Sequence, residues 1–300
     1  MPDAAPPGAD RTGQGQILRG ILFMCLAVSL FPILNATVKY LSTDYATTQI
    51  IWLRYLGHLV FMLLVFMPKR GLRLLHTSRP GLQIFRSLLL FAATAFYFSA
   101  LNYIPLANAA TISFTSPFII TVLSVLMLGE SVGPRRWIAV LIGFVGTVII
   151  IRPGSDFGHW AALLVLGSAT SYSFYQIFTR KLSGHDDAST TITFTAVVGV
   201  AVSSVVAPFD WITPQGWDWL LFLSLGFFGG FGHLCVVKSL DYAPASLLAP
   251  FGYVQLVGAV LLGYLVFAEF PDFWTWVGAA IIVASGSYIA YREGVRRRGG

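Results

Sequence analysis

The second half of this chain repeats the first about 139 positions later, and each half carries an odd number of membrane-length apolar segments. Leu101, Asn102, Tyr103, Ile104 and Pro105 are echoed by Leu240, Asp241, Tyr242, Ala243 and Pro244. The same offset pairs Glu130 with Glu269 and Trp137 with Trp276. The first span of each half matches at an offset of 141: Phe31 meets Tyr172, Asn35 meets Gln176, and Lys39-Tyr40-Leu41 meets Arg180-Lys181-Leu182. An odd number of crossings starts the second copy on the opposite face of the bilayer, so two such units must lie upside down relative to each other. Inverted repeats of this kind build transporters whose sites sit between the repeats near the midplane.

A hydrophobic fraction of 56%, a mean hydropathy of +0.74 and only 11% charged residues exclude a soluble domain, in which about a quarter of residues are charged. A bilayer core of roughly 30 Å needs about 20 apolar residues per helix, and ten segments qualify: 20–40, 46–67, 82–103, 107–128, 134–151, 159–178, 190–207, 219–237, 245–267 and 273–291. The predicted fold is an all-α membrane protein of ten transmembrane helices in two inverted five-helix repeats, 19–152 and 158–292. A disordered cytoplasmic tail, 1–18, precedes them and a basic cytoplasmic tail, 293–300, follows. The apolar run from Gly20 is too long for a cleavable signal and reads as a retained first span. No segment is left for a separate catalytic, receptor or nucleic-acid-binding domain. Cys25 and Cys235 both fall inside apolar runs and read as buried free thiols rather than a disulfide framework.

Lys and Arg collect on the cytoplasmic side of membrane proteins. With the N-terminus inside, fifteen of them fall in cytoplasmic segments, and only Lys39 and Arg152 lie at the outer side. Both termini are therefore expected in the cytoplasm of a multi-pass inner-membrane protein. This distribution also explains the net charge of +6 without any nucleic-acid partner.

Two arginines remain inside spans. At 1.5 Å per residue, Arg54 lies roughly 12 Å below the outer boundary, where a charge costs at least about 2.5 to 3.5 kcal/mol unless it faces protein or water. Arg86 is shallower, and its stem can snorkel towards the cytoplasmic interface. Either residue fits a substrate role or pairing with backbone carbonyls. His58 shares a helix face with Arg54, and His233 is the other mid-membrane imidazole; each is a candidate donor to substrate or a packing hydrogen bond.

Neutral polar and aromatic faces follow from helical spacing. Asn108, Thr111 and Thr115 share one face of the fourth span. Ser168, Tyr172, Tyr175, Gln176 and Thr179 share one on the sixth, Phe251, Gln255 and Gly258 one on the ninth, and Tyr97 aligns with Arg86 on the third. Asn35 on the first span completes the candidate substrate-binding set. Pro32, Pro117 and Pro250 interrupt the first, fourth and ninth spans and are candidate hinges or gates, since an internal proline removes a helix hydrogen bond. Pro117 and Pro250 do not align under the 139-residue offset.

No Asp or Glu occupies the middle of a span, so a proton relay would have to use histidine. Glu130 and Glu269 end their spans, where helix-end bonds or ion pairs with Arg135 or Arg136 account for them. His185, Asp186 and Asp187 read as a solvated turn. No nucleophile, metal cluster or carboxylate pair stands at membrane depth, which argues against a membrane-embedded enzyme, and no cofactor is implied. Efflux of lipophilic cations, the other alternative, wants a buried acid, whereas the buried charges here are positive. The expected cargo is anionic or zwitterionic.

Ten spans in two five-helix copies, the stretch LNYIPLANAATISFTSPF and the LGE that ends the fourth span resemble the EamA family of the drug/metabolite transporter superfamily, over almost the whole chain from Gly20 to Arg292. The run from Gln49 through Arg54, Arg86, and the stretch from Glu130 through Trp137 to Gly143 are similar to the bacterial branch with S-adenosylmethionine and riboflavin uptake carriers. The resemblance implies a transporter of small organic solutes, amino-acid-like ones included, and the inverted repeats lead us to expect that it works by alternating access. Its central cavity is built from the first, third, fourth, sixth, eighth and ninth spans. The partners are then a small-molecule substrate and the lipid bilayer, with a homodimer left open.

Overall fold

The structure is a computed structural model that describes residues 9–129, 133–151, 160–248, 251–252 and 254–296. Every extended element among the described residues is helical: α1 (Ala9–Leu41), α2 (Thr47–Arg70), α3 (Pro80–Leu101), α4 (Leu106–Ser113), α5 (Ser116–Leu128) and α6 (Pro134–Ile151) in the first half. The second half holds α7 (Ala161–Leu182), α8 (Ala188–Ser203), α9 (Asp218–Tyr242), α10 (Ala245–Leu248), α11 (Val254–Phe267) and α12 (Phe273–Arg296). Helix α1 begins ten residues inside the segment expected to be a disordered tail. Extending a nucleated helix backwards costs no new nucleus, so polar residues can join it.

Five helical stretches are long and apolar enough to cross a membrane: Gly15–Leu41, Thr47–Leu75, Pro80–Leu101, Leu106–Met127 and Asp218–Tyr242. Shorter apolar helices are Leu141–Ile151, Ala188–Ser203, Val254–Phe267 and Phe273–Ser285. Helix α7 is long but less apolar, because Ser168, Tyr172, Ser173, Tyr175, Gln176 and Thr179 turn inward along it and are buried or half-buried. Polarity placed on a protein-facing stripe lowers hydropathy without exposing anything polar to lipid.

The fourth span is two helices rather than one kinked helix. Helix α4 stops at Ser113, the chain turns at Phe114 and Thr115, and α5 restarts at Ser116. Pro117 stands in the first turn of α5, where its missing N–H costs nothing, while a helix continuing through it would drive its ring into the carbonyl of Ser113. Pro32 breaks nothing. It is buried within continuous α1 and packs on Gly258 of α11, where a built Cβ would stand 2.6 Å from Pro32 Cγ. Pro250 lies outside the described residues, between α10 and α11.

The packing partners survive exchange of the two halves. Helix α1 packs on α9 as α7 packs on α3, α2 on α9 as α8 on α3, and α1 on α11 as α7 on α5; α2 meets its counterpart α8, and α6 meets α12. The α2–α9 seam is close because two glycines face each other. A Cβ on Gly226 would lie 2.4 Å from the carbonyl carbon of Gly57, which is backbone and cannot swing away. Small residues of this kind let membrane helices approach and gain packing in the absence of a hydrophobic drive. Gly226→Ala is expected to destabilise the detergent-solubilised protein by about 1 to 3 kcal/mol, the usual penalty of overpacking. Thermal unfolding of the purified variant measures it, and an unchanged midpoint would mean the seam is looser than it stands here.

The loop between α7 and α8 faces solvent at His185 and Asp187 and is held at Asp186. Asp186 accepts hydrogen bonds from Thr77 Oγ1, Ser78 N and Gln83 Nε2, tying the start of α3 to this loop, while the exposed Asp187 pairs with Arg70. Burial pushes the Asp186 carboxyl up, but these bonds outweigh it and hold the group below the usual carboxylate range.

Candidate functional site

A central cavity of about 160 Å³ opens between α1, α2, α3, the α4–α5 break, α7, α9 and the stretch leading into α11. Its wall is mostly apolar, with a few convergent polar groups, the usual make-up of a small-molecule site. Seven of the candidate substrate-binding residues line it: Asn35, Arg54, Tyr97, Tyr172, Gln176, His233 and Gln255. Pro117 lines it too, at the start of α5. With Pro117 they come from seven helices spread over the whole chain, so only the assembled bundle makes the site.

Arg54 is the electrostatic centre of this cavity. Its side chain is 2% exposed, and Nε and Nη1 find no hydrogen-bond partner among the described residues. The guanidinium lies 4.7 Å from the Tyr55 ring centroid and 5.6 Å from that of Phe98, with Gly229 of α9 leaving room beside Nε. Cation–π contact offsets part of a cation's desolvation but satisfies none of its N–H groups. The two ion pairs among the described residues, Lys39–Glu269 and Arg70–Asp187, involve neither this arginine nor any cavity-lining residue.

Arg86 stands outside the lining. It is fully buried, and four of its N–H vectors are used: Nε to Thr179 Oγ1 at 3.0 Å, Nη1 to Gln83 Oε1 at 3.1 Å and to the Thr191 carbonyl at 2.8 Å, and Nη2 to Thr195 Oγ1 at 2.9 Å. Its guanidinium also covers the Tyr175 ring at 4.8 Å. The residue clamps α3, α7 and α8 together. Two arginines that look alike in sequence thus differ in kind: one has spent its donors on the protein and the other has kept them.

The histidines divide by position and not by partners, since the buried ring nitrogens of His58 and Nδ1 of His233 are all unpartnered among the described residues. His233 lines the cavity with its ring 5.0 Å from Phe31 and edge-on to Tyr175 at 6.0 Å, and its Nδ1 is unpartnered among the described residues. His58 is fully buried in the α2–α9 seam against Gly230, because α2 turns that position towards α9 rather than the cavity. Asn108, Thr111 and Thr115 also stand off the lining. Asn108 accepts a bond from Thr275 of α12, Thr111 bonds back to the Ala107 carbonyl, and Thr115 bonds to Ile112 inside the turn. Asn108 and Thr111 still share a face of α4, which is turned away from the lining, and only Thr115 is separated from them by the break. Phe251 is half-buried against the cluster around Met24 and Val28 rather than in the lining.

The sequence reading omitted several wall residues: Phe31, Thr94, Phe98, Ser113, Phe114 and Ser116. On α3 the lining positions Leu90, Ala93, Thr94, Tyr97 and Phe98 follow the three-four spacing of a single helix stripe. That stripe of small and aromatic residues was the available signal. Tyr172 stacks on Tyr175 at 5.6 Å, so the wall around His233 is an aromatic corner.

The EamA-like transporter family matches residues 18–152 and again 159–291, one copy in each half. The riboflavin transporter of Vibrio cholerae is 32% identical, over 94% of this chain and 96% of its own length. The S-adenosylmethionine uptake transporter of Rickettsia prowazekii is 31% identical, over 92% and 94%. The pseudopaline exporter CntI of Pseudomonas aeruginosa is 27% identical, over 89% and 94%. A solved crystal structure superposes with a TM-score of 0.69 over 96% of this chain and 99% of that one, at 19% identity, which is likeness of fold alone. A duplicated helical unit that covers almost the whole chain, wrapped round a central cavity, with transporters as its full-length relatives, leads to one conclusion: the protein belongs to the EamA-like transporter family and is a multi-pass membrane transporter of metabolites, not an enzyme.

Proposed function

We propose that this protein carries a small organic metabolite bearing a carboxylate or phosphate across the inner membrane, by alternating access between two inverted halves with both termini in the cytoplasm. The observation that carries the reading is Arg54: a guanidinium in the cavity wall, almost fully buried, with two nitrogens unpartnered among the described residues. A cation at membrane depth without an acid is costly, and the arrangement becomes favourable when an anionic cargo supplies paired acceptors. The cavity's hydroxyls, amides and rings can then orient the rest of a zwitterionic or aromatic solute. The exchange-symmetric packing, the odd span count and the bias of Lys and Arg support the inverted, alternating geometry.

Efflux of lipophilic cations is the weaker reading, because no acidic side chain among the described residues lines the cavity to pair with such a cargo. The relatives include uptake transporters and an exporter, so direction must be measured both ways. The test is a metabolite-resolved uptake and export screen in proteoliposomes. Solutes with a carboxylate or phosphate are expected to move, and transport confined to cations would overturn the proposal.

Asn35 and Gln176 hold matching places in the two copies and both line the cavity. Asn35→Trp and Gln176→Trp are each expected to cut transport by tenfold or more while leaving the helices folded, because a cavity wall accepts added volume that a packed seam rejects at about 1 to 3 kcal/mol. Transport by either variant at the native rate, with cargo flux read in proteoliposomes, would remove that residue from the pathway.

A further inference from the structure

Beyond one end of the cavity lining, charges that belong to different halves meet. Lys39, in the last turn of α1, places Nζ 2.6 and 2.9 Å from the two carboxylate oxygens of Glu269, just past the end of α11, and 3.2 Å from the Ile104 carbonyl. Oε2 of Glu269 also accepts the backbone N–H of Leu106, the first residue of α4, at 3.2 Å. The carboxylate therefore sits on a helix N-terminus and an ammonium at once, both of which favour negative charge. Of the two sequence expectations for Glu269, a helix-end bond or an ion pair with Arg135 or Arg136, the helix-end bond is present, and the ion pair it makes is with Lys39, which joins three helix ends from both repeats. The side chains are 14% and 27% exposed, so water screens the pair only in part.

The backbone is bent to deliver this carboxylate. Ala268 has φ +55, and no other non-glycine residue among those described has a positive φ. A β-carbon makes that conformation costly, and it persists here because Ala268 N bonds to the Tyr264 carbonyl and Glu269 N to the Gly263 carbonyl. The other repeat builds the same turn 139 positions earlier, with Gly129 at φ +67 closing α5. Lys39 lies one turn beyond the lining residue Asn35 on the same face of α1, so the pair stands immediately past the lining at that end. In the exchanged copy Arg180 follows Gln176 by one turn and donates to the Leu240 carbonyl of α9 at 2.7 Å.

We infer that the Lys39–Glu269 pair is a latch that holds the outer mouth of the cavity shut and must part when the carrier opens outward. The inference rests on the alternating-access reading and its orientation. A contact present in only one of two states biases their ratio by its own free energy, so neutralising it shifts the population towards the outward-open state.

The test places one reporter cysteine, Ser113→Cys, in the cavity wall of a protein with Cys25→Ser and Cys235→Ser. A membrane-impermeant maleimide is then added to right-side-out vesicles without any cargo. Glu269→Gln and Lys39→Met are each expected to speed labelling by about fivefold or more, the factor that a partly buried pair can supply. The charge-swapped double variant, Lys39→Glu with Glu269→Lys, is expected to return it towards the native rate, with folding of each variant checked by thermal unfolding. Labelling unchanged in both single variants, or faster only when the reagent is added to inside-out vesicles, overturns the latch. Should one single variant fail to fold, the other single variant and the swap decide. Because the readout needs no cargo, failure of the latch leaves measured transport standing, and failure to find any transported anion leaves the labelling result standing.

Discussion

Arg54→Ala is expected to abolish transport while leaving the protein folded and as stable as the native form or more so. In the cargo-free state the guanidinium is buried with Nε and Nη1 unpartnered among the described residues, so its removal takes away a desolvated charge and no described hydrogen bond. With cargo bound, the same group offers two parallel charge-assisted bonds, each worth about 1.5 to 3 kcal/mol. Losing both weakens affinity by at least about a hundredfold. Arg54→Lys keeps the charge but loses the planar fork, and it is expected to fall between the two. Cargo flux in proteoliposomes and thermal unfolding of the same preparations check the pair of expectations together. A purified Arg54→Ala variant that transports at the native rate would make the residue a passenger of the packing.

Arg86→Ala is expected to do the reverse, with the first loss in stability. Its guanidinium satisfies Gln83, Thr179, Thr195 and the Thr191 carbonyl across three helices and covers the ring of Tyr175. Truncation leaves those acceptors facing a cavity, and the combined cost is about 3 to 5 kcal/mol. The apparent Tm should fall by roughly 5 to 15 °C. Arg86→Lys cannot reach acceptors that diverge from one plane and should recover only part of this. If Arg86→Ala unfolds at the native temperature yet loses cargo binding, then the residue contacts cargo in a state other than this one.

The contrast between these arginines marks where sequence reasoning stops. Both stand in apolar spans, and position along a helix sets the depth of each and the price of an isolated charge there. Whether that price is offset depends on residues about a hundred positions away, Thr179, Thr191 and Thr195 for Arg86, whereas Arg54 meets the bare backbone of Gly229 on α9 and no acceptor among the described residues at Nε or Nη1. Helical spacing places Asn35, Tyr97, Tyr172, Gln176 and Gln255 on inward faces because each of those faces keeps its register. It fails for Asn108 and Thr111, whose face of α4 lies off the cavity with Asn108 bonded to Thr275, and for Thr115, which falls in the break. The charge pattern puts Lys39 at a span end, and only assembly of the bundle shows that its partner is Glu269, 230 residues on.

The sequence by itself determined the class of molecule: apolar length makes the spans, tandem similarity makes the two copies, and the placement of Lys and Arg makes the expected orientation. These are properties of single segments facing lipid or water, where the solvent decides and no partner is needed. The tertiary structure alone decided which buried polar groups are satisfied and which are left facing the cavity. That balance depends on distances of a few ångströms between helices far apart in the chain, and hydrogen bonding falls away within about 1 Å of its optimum.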